Sequence, residues 1–313
     1  MAMIDIFIPS YHRPTNIKTA KFLMQIDYDM NKVHVVIDSE ADDADQYRKE
    51  CERMGCKLHV FDMEEARRRY DYVHRASESR RSAGQARNMF YEIAKGEGIT
   101  QYLVMDDDTE HFQWRVKGYQ VNGEGREGLS KARTIKAAWA MIADFTHRHK
   151  IGLFGMCQSG DFYGSISPKL MKSKVMNTTF YDTRFIYRGE RGVQDDDTSQ
   201  FVTVLNEGYF TGSTQDCVVL KQCLSATQKG GLTDLYNECK LLNKALVCVI
   251  QFPSAVIAEK QKMNGGRVHH RINYRYLAPK LLKVSGHKGN IAWDTYPEDV
   301  LFTNEPKRMK SNE

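Results

Sequence analysis

A chain of 313 residues, 41% hydrophobic and 27% charged, can bury one large core or two moderate ones and has the balance of a folded globular protein. Forty-five Lys and Arg against 40 Asp and Glu leave a net charge of +5, which excludes a histone-like protein or a basic tail but not a local basic face. The seven cysteines are odd in number and lack CxxC spacing, so they read as thiols of a reducing compartment. No run of 18 uncharged apolar residues and no basic leader with an apolar core is visible, so the expected location is the cytoplasm.

The first 110 residues alternate short apolar runs with helical patterns. Residues 4–8 form a first strand closed by Pro9-Ser10, followed by a helix around residues 15–25. Residues 33–37 form a second strand ending at Asp38, and residues 46–54 a second helix. A third strand follows at residues 57–61, then a helix at 83–95 and a fourth strand at 101–105. Continuous apolar strands separated by helices predict a parallel sheet covered on both faces, with ligands beyond the carboxyl ends of the strands. Residues 110–130 hold four glycines and read as a loop or small excursion; a helix follows from Ser130 to about Arg148. Further strands are expected at 151–156, 181–187, 202–205 and around 248–252, with a frayed tail at 307–313. The fold expected is α/β in a single domain spanning 1–306, with a nucleotide-binding half at 1–110 and an acceptor-side half at 111–306. Gly123 to Gly128 lack the GxGxxG spacing of a dinucleotide loop, and no GxxxxGK[ST] occurs, which removes the usual support for a dehydrogenase or a P-loop kinase.

Two acidic motifs carry the strongest chemical signal. The fourth strand delivers Asp106-Asp107-Asp108 to its carboxyl end, where alternation places Asp106 and Asp108 on one side. Carboxylate oxygens suit Mg2+ or Mn2+, which bridge nucleotide phosphates; a solvated acidic turn is the plainer alternative. The second motif, Asp195-Asp196-Asp197, supplies a candidate general base in Asp196, with Asp195 beside it, unless it only balances Arg184, Arg188 and Arg191. Around a nucleotide, Pro9, Tyr11 and Arg13 lie beyond the first strand and Asp38 ends the second. Arg81, Arg87 and Asn88, near a helix start, are placed to meet phosphate. Asp107 completes this binding set. From Lys260 to Asn290 there are eight Lys or Arg and no Asp or Glu, with Tyr274 and Tyr276 interspersed. That segment, through Arg267, Arg271, Tyr274, Arg275 and Tyr276, is a candidate nucleic-acid surface or else a solvated basic face. One of the adjacent His269 and His270 could join the metal. Alternation along an extended segment allows only one, and His269 is preferred.

The segments IDIFIPSY, VHVVIDS, RSAGQARN, YLVMDDD and, more weakly, GVQDDD resemble GT-A glycosyltransferases distantly related to the large family 2 group, over about residues 4–210. The resemblance implies Asp106 and Asp108 for a divalent metal against a nucleotide-sugar diphosphate, Asp38 for the nucleotide base, and Asp195 and Asp196 at the place of a catalytic Glu-Asp pair. It implies Mn2+ or Mg2+ and a UDP-sugar donor. Absence of Gln-x-x-Arg-Trp argues against a processive polysaccharide synthase. The basic carboxyl half also resembles phage glycosyltransferases proposed to decorate hydroxymethylated DNA bases, which implies an inverting transfer to 5-hydroxymethylcytosine, with DNA containing modified cytosine as partner. A protein or small-molecule acceptor, a nucleotidyltransferase and a non-catalytic DNA-binding module are the rival readings.

Overall fold

The computed structural model describes residues 3–70, 83–116, 119–120, 132–149, 151–156, 175–176, 178–185, 195–213, 219–224, 241–260 and 268–277. Chain entry is through Asp5–Pro9 (β1), whose five residues are all buried. Its side chains alternate between two layers. Ile6 and Ile8 enter one core with Leu23, Tyr47 and Trp139, and Phe7 enters another with Val36, Phe90 and Tyr102. A strand covered on both faces has no polar side, hence its continuous apolar run; each such side chain stabilises by about 2 kcal/mol.

Helix α1 (Lys18–Gln25) leads to β2 (Val33–Asp38), buried throughout, and α2 (Ala44–Met54) leads to β3 (Lys57–Phe61) at the sheet edge. At the end of α2, Gly55 adopts φ 73° and returns its N–H to the Cys51 and Glu52 carbonyls, a left-handed stop that glycine makes at little cost. Helix α3 (Met63–Arg69) begins at Asp62, whose carboxylate accepts from the N–H groups of Glu64 and Glu65. Helix α4 (Ala83–Gly96) then precedes β4 (Gln101–Val104). β1 pairs in parallel with both β2 and β4, and β2 in parallel with β3, as the first 110 residues lead one to expect.

The chain continues through β5 (Thr109–Val116), β6 (Tyr119–Gln120), α5 (Ala132–His149), β7 (Ile151–Gly155) and β8 (Thr179–Asp182). Next come α6 (Asp196–Asn206), β9 (Phe210–Ser213), β10 (Val219–Leu224), α7 (Leu241–Gln251), β11 (Val256–Lys260), β12 (Val268–Ile272) and the short α8 (Tyr274–Leu277). The main sheet has the order β3-β2-β1-β4-β8-β7-β9; β8 runs antiparallel to both its neighbours. A smaller sheet has the order β10-β5-β6, and β11 and β12 form an antiparallel pair. The architecture is α/β, with a largely parallel sheet between helical layers. A third core joins α6 to α7 and the β11–β12 pair through Phe201, Val202, Leu205, Cys248, Val256 and Ile272. Among the described residues no helix is long and apolar enough to cross a membrane.

Four expectations from the sequence change. Residues 202–205 belong to α6 rather than to a strand, because Phe201, Val202 and Leu205 share one buried helical face and packing overrides β-branched propensity. Most of residues 248–252 likewise close α7, where Cys248 is buried against the same face. The excursion at 110–130 contains strands β5 and β6, held by pairing with β10 rather than by local pattern. The strand expected at 181–187 is shorter and earlier, ending at Asp182, whose carboxylate turns back to accept from the Arg184 N–H at 3.0 Å. The glycine-rich stretch 123–128 and the tail 307–313 lie outside the described residues.

Candidate active site

The carboxyl ends of β1, β2 and β4 meet in one region. Beyond Val104 the chain leaves the sheet, and α1 fastens the departing turn. The N–H of Thr19 donates to the Asp107 carbonyl at 3.2 Å; its hydroxyl donates to the Asp106 carbonyl and accepts from the Thr109 N–H at 3.0 Å. Thr19 is fully buried, so these bonds are shielded from competing water and the three aspartates issue from a braced backbone.

The three carboxylates then diverge. Asp107 turns toward the β1 loop, accepting from Ser10 Oγ at 2.8 Å and from Arg13 Nη1 at 2.7 Å. Tyr47 supports both donors: its hydroxyl lies 2.9 Å from Ser10 Oγ and accepts from the Arg13 N–H at 2.9 Å. Burial and the neighbouring Asp106 push the Asp107 carboxyl up, against the pull of Arg13 and Ser10. Asp106 instead accepts from Arg87 Nη2 at 2.6 Å. The other arm of that guanidinium, Nη1, donates to Asp196 Oδ2 at 2.5 Å, so Arg87 bridges the two acidic motifs. Asp108 is pushed up to about 7 by burial and by the charges of Asp106 and Asp107, and its Oδ1 is buried without a hydrogen-bond partner among the described residues. A buried, partnerless carboxylate oxygen beside a second carboxylate is what a hard cation satisfies, so Asp106 and Asp108 fit Mg2+ or Mn2+.

Asp195 and Asp196 are held at the start of α6. Asp195 adopts the left-handed conformation, φ 57°, and its carbonyl accepts from the N–H groups of Thr198 and Ser199. The following residue, Asp196, is the first of the helix and is buried to 9% exposure where it meets Arg87. The Asp195 carboxylate lies 3.0 Å from His270 Nδ1, and His270 Nε2 lies 3.2 Å from Thr198 Oγ1. The β11–β12 pair thus locks the loop that presents Asp196.

The other expected residues fall into three groups. Pro9 ends β1 and is buried; Tyr11 stands at the rim with its ring 3.9 Å from that of His12. Asp38 is buried at the end of β2 and accepts from the Glu40 N–H at 2.9 Å, and Asn88 is fully buried in α4 with its carbonyl toward Tyr70. The two histidines part as alternation requires, but His270 is the one facing the aspartates. His269 Nδ1 lies 2.7 Å from the His270 carbonyl, and among the described residues Asp106, Asp108 and His269 do not bring donor atoms within 4.8 Å of one another. Arg271 is exposed and donates to Glu259 at 2.7 Å, while Tyr276 is 64% exposed. Tyr274 and Arg275 belong to α8, and Arg81 and Arg267 lie outside the described residues. Ser10, Thr19, Tyr47 and Thr198 were not singled out in sequence; only Ser10, next to Pro9, carried a local signal.

No significant match was found among curated proteins. A mannosyltransferase from Pyrobaculum calidifontis in complex with GDP-Man and Mn2+ is 16% identical with a TM-score of 0.46; the match covers 80% of this chain and 63% of that one. Glucosyl-3-phosphoglycerate synthase from Mycobacterium tuberculosis in complex with Mn2+, UDP-Glc and phosphoglyceric acid is 10% identical with a TM-score of 0.41, covering 86% of each chain. Likeness at that level transfers neither donor nor metal. The family model is more decisive, because it spans every element that builds the site up to β10: residues 4–231 match the TET-associated glycosyltransferase model, and the chain belongs to that family.

Proposed function

We propose that this glycosyltransferase moves a sugar from a UDP-sugar to a hydroxyl with the help of Mn2+ or Mg2+, and that its acceptor is 5-hydroxymethylcytosine in DNA. The observation that carries the reading is the Arg87 bridge, which brings the two acidic motifs into one site from opposite halves of the chain. A site with carboxylates for a cation on one side and a buried carboxylate on the other has the parts for displacement at a sugar carbon.

Asp106 and Asp108 would hold the cation, and Pro9, Tyr11, Arg13 and Asp38 border the space for the nucleotide. The cation would supply positive charge against the diphosphate. Asp196 accepts the proton of the acceptor hydroxyl as that oxygen bonds to the anomeric carbon. The carbon's bond to the diphosphate oxygen breaks, its electron pair leaves with UDP, and a single displacement inverts the anomeric centre. Asp107, turned away toward Ser10 and Arg13, shapes the β1 loop around the donor. Asp195 and His270 hold the Asp196 loop, so they position the base rather than act as one.

One feature supports the DNA acceptor. The segment from Lys260 to Asn290 carries only positive formal charge, which suits a phosphate backbone. Reaction at a base inside a duplex requires flipping it from the stack. The test incubates the full chain with Mn2+, a panel of UDP-sugars, and DNA containing cytosine, 5-methylcytosine or 5-hydroxymethylcytosine, followed by nucleoside mass measurement. The expected result is a sugar mass added only to 5-hydroxymethylcytosine, lost on chelation. Sugar transfer to another acceptor class with none to DNA would overturn the acceptor.

A further inference from the structure

The amino end of the main sheet, opposite the aspartates, holds a second cluster of metal-ligating side chains. His34 in β2 and His59 in β3 lie diagonally across the edge pairing, and Glu97 follows the last residue of α4, which packs on that face. His34 Nδ1 is 2.9 Å from His59 Nε2, and His59 Nε2 is 3.6 Å from Glu97 Oε1. All three donor atoms lie within 4.8 Å of one another.

We infer that His34, His59 and Glu97 form a structural site for a Zn2+-type divalent transition metal. Two ligands about 2.05 Å from a tetrahedral zinc stand roughly 3.3 Å apart, and the spacings of 2.9 and 3.6 Å bracket that value. Two imidazoles and a carboxylate select a borderline metal rather than the hard Mg2+ suited to the aspartates.

An independent feature is the partner of His34. This imidazole is fully buried, and its Nε2 lies 3.0 Å from Asp5 Oδ1. Donation from Nε2 to a carboxylate leaves the Nδ1 lone pair facing His59, the orienting arrangement that metal-bound histidines use. Asp5 is itself fixed by Lys32 Nζ at 3.1 Å. Lys57 occupies only the other oxygen of Glu97, Oε2 at 2.9 Å. His59 and Glu97 are partly exposed, at 19% and 35% of their side chains, which gives an ion entry and water the fourth position.

Such an ion ties edge strand β3 and β2 to the end of α4. The same helix carries Arg87 near its start, so the clamp would set the helix that presents the bridging guanidinium.

The test strips the full chain with chelator and titrates Co2+ in the absence of nucleotide, reading the visible spectrum. One equivalent of Co2+ should give the intense absorption of a tetrahedral site, displaced by Zn2+, and Zn2+ should raise Tm. Both signals should persist in Asp106→Asn, which empties only the other site. His59→Gln should abolish them, and Asp5→Asn should weaken affinity about 10–100-fold through the orienting carboxylate. Should His59→Gln lose its circular dichroism signature, Glu97→Gln at the more exposed ligand gives the same reading. A weak octahedral spectrum in the parent protein, or tetrahedral binding of unchanged affinity in the folded ligand variants, overturns the site.

Discussion

The two ends of the main sheet handle charge in opposite ways. At the amino end each acid has a base at hand: Asp5 meets Lys32 and His34, and Glu97 meets Lys57. At the carboxyl end Asp106, Asp107, Asp108 and Asp196 crowd around the guanidiniums of Arg13 and Arg87, and Asp108 is raised to about 7. Repulsion between partly buried carboxylates is costly, and a protein keeps it where a ligand will relieve it. The amino end has the pattern of a built clamp, the carboxyl end that of a site awaiting positive charge.

The contrast breaks most sharply at Asp196. Asp196→Asn keeps the shape of the side chain and removes the proton acceptor, so transfer should fall about 10²–10⁴-fold while donor binding stays near that of the parent protein and stability falls by no more than the roughly 1.5–3 kcal/mol of the charge-assisted bond to Arg87. Single-turnover kinetics with a labelled UDP-sugar would show this, and an unchanged rate would remove Asp196 from the chemistry. Next in size is Arg87→Lys. An ammonium cannot span two carboxylates as a guanidinium does, and losing one charge-assisted bond of roughly 1.5–3 kcal/mol should slow transfer about tenfold to a hundredfold. If lysine preserves the rate, the bridge is only ballast.

His270→Ala loosens the Asp195 loop and detaches the β11–β12 pair from it. Because His270 acts on Asp196 only through the loop, part of the roughly 1.5–3 kcal/mol of a bond to a carboxylate reaches the reaction, and kcat should fall about tenfold or less with the donor KM unchanged. Equal loss in the two parameters would instead assign His270 to donor binding. The smallest effect concerns pH. Without divalent ions, folded Asp108 releases its proton near 7 and the unfolded carboxyl near 3.8. Between those values the native state binds the extra proton, so stability should fall as pH rises from about 4 to about 7. Urea unfolding at pH 5 and pH 7.5 reads the slope; Asp108→Asn should flatten it, and Mn2+ should protect the parent protein most at the higher pH.

Legibility in the sequence followed the range of the interactions. β1 and β2 were readable within a residue or so because burial on both faces writes a largely apolar run, and β3, a more exposed edge strand, was readable from its short stretch at Lys57–Phe61. The three aspartates after β4 and those at the start of α6 stood out as motifs, yet nothing local linked them; the link is a single guanidinium reaching both. Thr19 and Tyr47 stayed invisible because their roles exist only once α1 and α2 are packed on the sheet. β5 was missed for a similar reason, since its partner β10 lies about a hundred residues further on. Val202 and Leu205 misled because β-branched neighbours resemble a strand until the acidic cap at Asp195 is read with them.

The position of β8 has a consequence for synthesis. Every partner of β1, β2 and β3 lies at or before Val104, whereas Gln101 of β4 finds its other partner only at Asp182. A chain emerging amino end first can therefore assemble the half bearing Arg87 and Asp106 before Asp196 has been made, since all four of its strands are already synthesised. A nascent or prematurely stopped polypeptide would carry the donor half without its reactive counterpart, and competence to act would arrive only with the later strands.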